Sequence, residues 1–358
     1  MASFRARRAP GLLLVASALG ALLTSQVAAR ADQNDLNLLN LCYTGGTNTC
    51  LQQNTSTGAT SAAPSTTVQS RYRSLMSELG VVMAPRLMTP ADTLGYAGFQ
   101  FSAELGINSI NSSRTVQGDS VPYWTGVQGV TNPNNPNVGR PSSYLTTVGG
   151  FVRKGLWFPV PAVEFGAGAV SLLGSSMYAM QGYVKLALQE GLHDWVLPSF
   201  AVRGSASQVL GTSQVNLAIY GVDVLISKAF SMGGTARVEP YLGWNALFID
   251  ARSGVIDATP NCDAYAQDVT PAGGTTPGGC LPINNGHWTD LGANFTFPSE
   301  SVITRYRWFG GFKLKLSAVF LDAELDVTQH GTSNDSNGDV TDGSGTQLSF
   351  SLAAGLDF

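Results

Sequence analysis

Three histidines stand near acidic residues, and each pair invites a test for proton-transfer chemistry. Asp326 and His330 are four residues apart. Imidazole titrates near neutral pH, and a carboxylate beside it can help it activate water. On an extended strand both would share one face, but no second acidic pair stands opposite them. The two read as rim polarity rather than as a catalytic centre. His287 and Asp290, in "GHWTD", form a loop pair of the same weak kind, and His193 falls on a short turn. Nothing singles out one serine as the partner of a histidine, so no lipase-type nucleophile is assigned.

The stretch "SNDSNGDVTDGSG" has the oxygen chemistry of a calcium loop in Asp335, Asn337 and Asp339. The closing bidentate glutamate is replaced by Ser344, so the sequence supports a weak Ca²⁺ candidate only and favours a solvated hairpin loop. The four cysteines lack the Cys-x2-Cys form of a zinc site. Their spacing makes Cys42–Cys50 and Cys262–Cys280 the simplest of three pairings for an exported chain. No cofactor is implied.

The densest charges lie elsewhere. Between residues 302 and 316, Tyr306, Trp308, Phe312, Leu314 and Leu316 alternate with Arg305, Arg307, Lys313 and Lys315. Between 319 and 330, Leu321, Ala323, Leu325 and Val327 alternate with Asp322, Glu324 and Asp326. A turn at Ser317–Ala318 would set Lys313 opposite Asp322, where opposite charges stabilise by about 0.2–1 kcal/mol a pair. A cation turned toward a bilayer midplane would cost roughly 2–4 kcal/mol. The charged parity therefore belongs inside, with Glu104, Glu164, Lys185, Arg203, Asp223, Arg237 and Glu239 in the same inward set.

These residues need strands of membrane length to hold them. Alternating segments recur near 98–107, 144–155, 161–172, 176–189, 195–206, 214–230, 235–251, 302–316, 319–330 and 345–358. Each is close to the 9–11 residues of a tilted transmembrane strand or longer. The connections alternate as well: 109–143, 173–175, 207–213, 252–301 and 331–344 fall on one side, and short turns on the other. The expected fold is all-β: a transmembrane antiparallel up-and-down barrel of about ten strands, with a short N-terminal helix, or twelve strands if a strand hides in 253–300. Trp157, Trp195, Phe230 and Phe358 cluster at the short-turn ends, as an interfacial aromatic girdle should.

Composition agrees. The chain has 358 residues, 44% hydrophobic, 12% charged, with 41 glycines and a net charge of −4. A typical domain is about 25% charged, so part of this surface faces something other than water, and nothing basic invites nucleic acid. Residues 1–31 read as a cleaved signal peptide, with Arg5, Arg7 and Arg8 before "GLLLVASALGALLT" and a small-residue site at Ala29–Ala31. Residues 32–91 read as a flexible periplasmic tether. It carries an amphipathic helix over about 67–80, with Val68, Tyr72, Leu75, Met76 and Leu79 on one face and Gly80 at its end. That helix is placed on the periplasmic rim in preference to plugging the lumen. Residues 92–358 are the barrel.

The closing "LSFSLAAGLDF" carries a resemblance. Together with the signal sequence, the alternating strands and the polar loops, it resembles a Gram-negative outer-membrane β-barrel protein over residues 92–358. In that class the last strand is similar to the signal read by the barrel assembly machinery, which the resemblance assigns here to Leu352, Ala354, Leu356 and Phe358. Outer-membrane lipid and that machinery are the implied partners, the outer membrane the implied location, and a periplasmic N-terminus the implied topology. The leading expectation is a narrow, non-enzymatic channel for small polar solutes. The alternative is a closed structural or surface-interaction barrel acting through loops 109–143 and 252–301, and a rim hydrolase comes third.

Overall fold

The computed structural model describes residues 34–358 except 45–46, 54–59, 87, 126, 128–141, 157–161, 191–196, 234–235, 259–281, 284–286, 289–293 and 299–301. The signal-peptide reading, Cys262–Cys280, His193, Asp290, Trp157 and Trp195 lie outside the described residues.

Ten strands form the wall: β1 (Phe99–Ser109), β2 (Tyr144–Leu156), β3 (Val163–Leu172), β4 (Tyr178–Gln189), β5 (Ser199–Leu210), β6 (Val215–Ser227), β7 (Ala236–Ser253), β8 (Ile303–Leu316), β9 (Val319–Thr328) and β10 (Gln347–Asp357). Every strand pairs antiparallel with its sequence neighbours. The seam closes where β10 pairs with β1, from Ser349↔Asn108 to Asp357↔Gln100. Closure leaves no edge with unmet backbone groups, which a strand standing in hydrocarbon requires. A three-residue strand, Phe230–Met232, pairs with the start of β7. In the long β7–β8 connection, Ile256–Asp257 pairs with Asn294–Phe295 as a separate small sheet. Among the described residues, that segment adds no strand to the wall.

The fifth strand starts at Ser199 rather than 195, directly after Pro198, whose missing N–H suits it to a strand's border rather than its ladder. The parity follows the hydrophobic pattern. Met180, Val184, Leu186 and Leu188 point outward from β4, and Leu321, Leu325, Leu348, Phe350 and Leu352 from β9 and β10, all substantially exposed. Phe230 and Phe358 are exposed at the short-turn end.

One helix, α1 (Thr66–Met83), stands inside the wall. The Ser65 hydroxyl caps its first turn by accepting from the Val68 amide at 3.4 Å. Its far end is set by Pro85, which forces Ala84 into an extended conformation. The expected end at Gly80 is therefore corrected: the helix runs through it. Gly80 serves close packing instead, because a Cβ there would lie 2.6 Å from Cδ1 of Ile249 on β7.

The rim placement of the helix is corrected too. Every α1 residue from Ser70 to Met83 is buried, and the helix packs against β6, β7 and β8. Leu75, Met76 and Leu79 join one apolar core with Leu217 and Ile219 of β6, Leu247 and Ile249 of β7 and Ile303 of β8. Burying each such side chain contributes about 1.5–3 kcal/mol. The lumen is thus two chambers in character. Its half toward the long connections holds the helix against an apolar wall of β6, β7 and β8, with buried charges on the helix's other flanks, while its half toward the short turns is charged.

The described residues between 34 and 62 are not a tether at the short-turn end. They pack on the end that carries the long connections. The Asn34 amide donates to the Gly174 carbonyl at 2.7 Å. Asp35 accepts from the Ser175 hydroxyl at 2.9 Å and the Ser176 amide at 2.8 Å. The Leu38 amide donates to Gln214 at 3.1 Å, and Asn48 to the Ala258 carbonyl at 3.1 Å. Cys42 and Cys50 form a disulfide within this cap.

Candidate functional site

After α1 the chain runs in extended form down the charged chamber, and the wall grips its backbone. The Met83 carbonyl, one of the orphan acceptors at a helix end, receives Gln181 Nε2 and Ser207 Oγ, each at 3.0 Å. Arg307 donates to the Pro85 carbonyl at 3.0 Å. Arg203 donates to the Thr89 hydroxyl at 2.9 Å. Lys185 donates to the Pro90 carbonyl at 3.0 Å and the Asp92 carbonyl at 2.7 Å. The Ala91 amide donates to Ser227 at 3.0 Å, and the Leu94 amide to Glu164 at 3.0 Å. Cationic donors on neutral carbonyls are the stronger class of hydrogen bond, and here they repeat along about ten residues of one segment.

Most of these groups also pair with one another, although both Asp326 oxygens and two Arg307 nitrogens are buried without a hydrogen bond. Glu164 pairs with Lys185 at 3.1 Å and accepts from Tyr183 at 2.6 Å. Arg203 pairs with Asp223 at 2.7 Å, and Asp223 also accepts from Asn245. Glu104 pairs with Arg153 at 2.7 Å. Arg237 bridges Asp92 at 2.5 Å and Glu239 at 3.0 Å, and Glu239 accepts from Ser227 at 2.9 Å. Arg307 lies 3.7 Å from Asp326. Arg305 reaches upward to Ser77 of the helix and to Ser344, both at 2.8 Å.

Lys313 does stand in register with Asp322. Its ammonium, however, turns to Asp357 at 2.8 Å, which Lys315 also meets at 2.8 Å. The Tyr241 hydroxyl takes the other side, lying 2.8 Å from an Asp322 oxygen and 2.9 Å from a Glu324 oxygen, with its one proton given to either. Tyr241 reaches them by lying across Gly311, where a Cβ would sit 2.6 Å from the phenolic oxygen. So the expected Lys313–Asp322 ion pair gives way to a tyrosine bridge, and the two lysines pair with the last strand, while Arg307 keeps a diagonal partner in Asp326.

All fourteen charged side chains assigned inward from the sequence point into the barrel, twelve of them buried or nearly so, while Arg237 and Lys315 are about one-third to two-fifths exposed. Sequence reasoning missed Arg153, Tyr241 and Asp357 on the wall and Arg71, Arg73, Glu78 and Arg86 on the threading segment. Three of the last four, Arg71, Arg73 and Glu78, carried a signal: charges flanking the apolar face of a helix need buried polar partners. Two small cavities lie among these groups. A cavity of about 20 Å³ lies between Arg86, Glu104, Gln181 and Ser351, room for about one water. Toward the short turns a polar cavity of about 130 Å³ lies between Asp92, Arg237, Lys313 and Asp357.

At the long-connection end the helix ties the loops together. Glu78 accepts from Tyr123 Oη at 2.8 Å, Trp124 Nε1 at 2.7 Å, Asn111 N and Nδ2 at 3.0 and 2.6 Å, and the Gly345 amide at 3.2 Å. Burial and the Glu78 charge push the Tyr123 hydroxyl well above its usual range, so it remains a donor. Arg71 holds Asp119, with one contact at 2.6 Å, and the Leu41 carbonyl at 2.8 Å. Burial alone would raise the Asp119 carboxyl, but the Arg71 and Val121 hydrogen bonds outweigh it and hold it below its ordinary value. Tyr72 stacks on Phe297 with ring centroids 4.4 Å apart.

The other candidates are not assembled. His330 is exposed beyond the end of β9, while Asp326 is buried beside Arg307. Asp335 closes a tight turn by accepting the Val340 amide at 3.1 Å, and Asn337 and Asp339 are exposed. Among the described residues no group of three or more His, Cys, Asp or Glu could hold a metal ion. Leu352, Leu356 and Phe358 face outward on β10 with Ala354.

A closed antiparallel wall with an apolar outside and a charged inside defines a β-barrel of the outer-membrane type. The chain matches no protein-family model, and no curated protein matches it. Solved structures similar to it include Ail, the attachment invasion locus protein of Yersinia pestis (8% identity, 74% of this chain and 99% of that one, TM-score 0.23). Others are Neisserial surface protein A (10% identity, 73% and 94%, TM-score 0.25) and Omp33 of Acinetobacter baumannii (9% identity, 74% and 99%, TM-score 0.23). The class rests on strand register and side-chain distribution, not on these similarities.

Proposed function

We propose that this chain is a closed outer-membrane barrel whose work is done at its long-connection face, rather than a channel for small polar solutes. One observation carries the reading: α1 and residues 84–94 occupy the lumen and are held by its cations. A pore would require that segment to leave. Departure would strip Lys185, Arg203 and Arg307 of carbonyl or hydroxyl partners and expose the apolar upper wall around Leu217 and Ile249 to water. Water could replace those hydrogen bonds, but each apolar side chain of α1 and of that wall returned to water costs about 1.5–3 kcal/mol, so the filled state dominates.

The apolar exterior then meets outer-membrane lipid. The outward row Leu352, Ala354, Leu356 and Phe358 on the last strand is the element offered to the assembly machinery. The interacting surface is the cap built from residues 34–62, the 110–127 loop and the 329–346 loop. No catalytic role is assigned to it. The test is conductance of the intact protein in planar bilayers. A quiet membrane despite confirmed insertion is expected, and steady ohmic steps from the full chain would overturn the reading.

A further inference from the structure

The position of residues 34–65 has a topological consequence. Their partners belong to four of the five long connections: Gly174 and Ser176 between β3 and β4, Gln214 between β5 and β6, Ala258 between β7 and β8, and one more between β1 and β2. The Asn37 amide meets the Val127 carbonyl of the β1–β2 connection at 2.8 Å. The start of α1 meets the β9–β10 connection, where Ser70 Oγ accepts the Thr341 amide at 3.1 Å. At the opposite end, Thr93 contacts Glu190 in the β4–β5 connection, Leu94 contacts Glu164 near the start of β3, and Phe358 pairs with Phe99. The polypeptide therefore crosses the barrel once through the lumen and ten times in the wall. An odd number of crossings leaves residues 34–65 and Phe358 on opposite sides. In outer-membrane barrels long loops face outward and short turns face the periplasm.

We propose that residues 34–65 are displayed on the outer face of the membrane, delivered there through the lumen of their own barrel as the wall closes. This departs from a periplasmic N-terminal segment and makes the segment part of the surface a partner meets. The dimensions allow it. A helix is about 10–12 Å across with its side chains, and strands in a two-stranded hairpin lie about 5 Å apart. A lumen that holds α1 therefore passes the small hairpins of 43–62 with Cys42–Cys50 already joined. Once outside, the segment is locked by the Asp35, Arg71 and Glu78 contacts, so it cannot slip back without breaking all three.

The test uses single cysteines in a background carrying Cys262→Ser and Cys280→Ser, with the Cys42–Cys50 bridge intact. Thr66→Cys reports the segment, Ser336→Cys the long-loop side and Ser317→Cys the short-turn side; all three positions are exposed. Heat-modifiable gel migration confirms that each variant is a folded barrel. Intact cells are then treated with a membrane-impermeant maleimide. The expected result is labelling of Thr66→Cys at the level of Ser336→Cys, at least tenfold above Ser317→Cys, with all three labelled after lysis. Labelling of Ser336→Cys without Thr66→Cys would overturn the proposal, as would protection of both with Ser317→Cys reactive. Either outcome is independent of conductance, so it leaves the closed-barrel reading to its own test.

Discussion

Glu78→Ala removes the acceptor on which two loops of the cap, 110–127 and 329–346, converge. Tyr123 and Trp124 are fully buried, and both side-chain donors point at this carboxylate. Leaving a buried donor unmet costs about 1–3 kcal/mol, so these two alone amount to roughly 2–6 kcal/mol, before counting Asn111 and Gly345. At the low end that is about a 30-fold rise in the population of cap-open molecules. The strand ladder does not depend on Glu78, so the barrel itself should survive. Folded protein in detergent, challenged with a broad-specificity protease, should show cleavage in the 110–127 loop accelerated by about 30-fold or more. Cleavage of the opened state tracks its equilibrium population when reclosing is fast. Glu78→Gln keeps one acceptor oxygen and should fall in between. Wild-type cleavage rates in Glu78→Ala, with heat-modifiable migration unchanged, would refute the claim that this carboxylate organises the cap.

Three further outcomes follow from the same contacts. Gly80→Leu drives a side chain into Ile249, already 2.6 Å from a simple Cβ; overpacking costs about 1–3 kcal/mol, and the midpoint of thermal unfolding should drop by several degrees. Leu314→Arg places a cation on the outer wall at a cost of roughly 2–4 kcal/mol and should cut the yield of inserted barrel, whereas Lys313→Gln should cut it far less; equal yields would reverse the assignment of inside and outside. Asp119 has its carboxyl held below the ordinary value near 3.9, so its contribution is complete above that value and is lost as pH falls through the depressed one. Protease nicking of the 110–127 loop should therefore rise only below about pH 4, and the Asp119→Asn variant should lose that step.

The wall was legible because its signal is redundant. Ten segments repeat one alternation, and a charge on the lipid side is costly enough to fix the parity of each. The ladder from Arg305 to Lys315 alone suffices to orient β8. The occupied lumen was harder to see, although residues in the strands carried it. In β6, Val215, Leu217 and Ile219 are apolar on the inward parity, while Tyr220 and Val222 are apolar on the outward one. An aqueous lumen has no use for the first set. Apolar residues on both faces mean a neighbour on both faces, and lipid supplies only one. Gly80 misled for a local reason: it resembles a helix stop, but its task is to let Ile249 approach. The Lys313–Asp322 ion pair was expected in error because Tyr241 comes from a third strand across Gly311, and period-two reasoning pairs residues only within a hairpin.

Arg86 belongs to the stretch that leads into β1, yet its guanidinium donates to Ser351 at 3.3 Å and Ser349 at 3.1 Å on β10. The first and last strands are the pair most distant in sequence and hence the slowest to meet. A residue just ahead of one end of that zip already holds the other end from within. The leader into the cylinder thereby doubles as its clasp, and truncating Arg86 should slow the final joining of the wall far more than it loosens the finished cylinder.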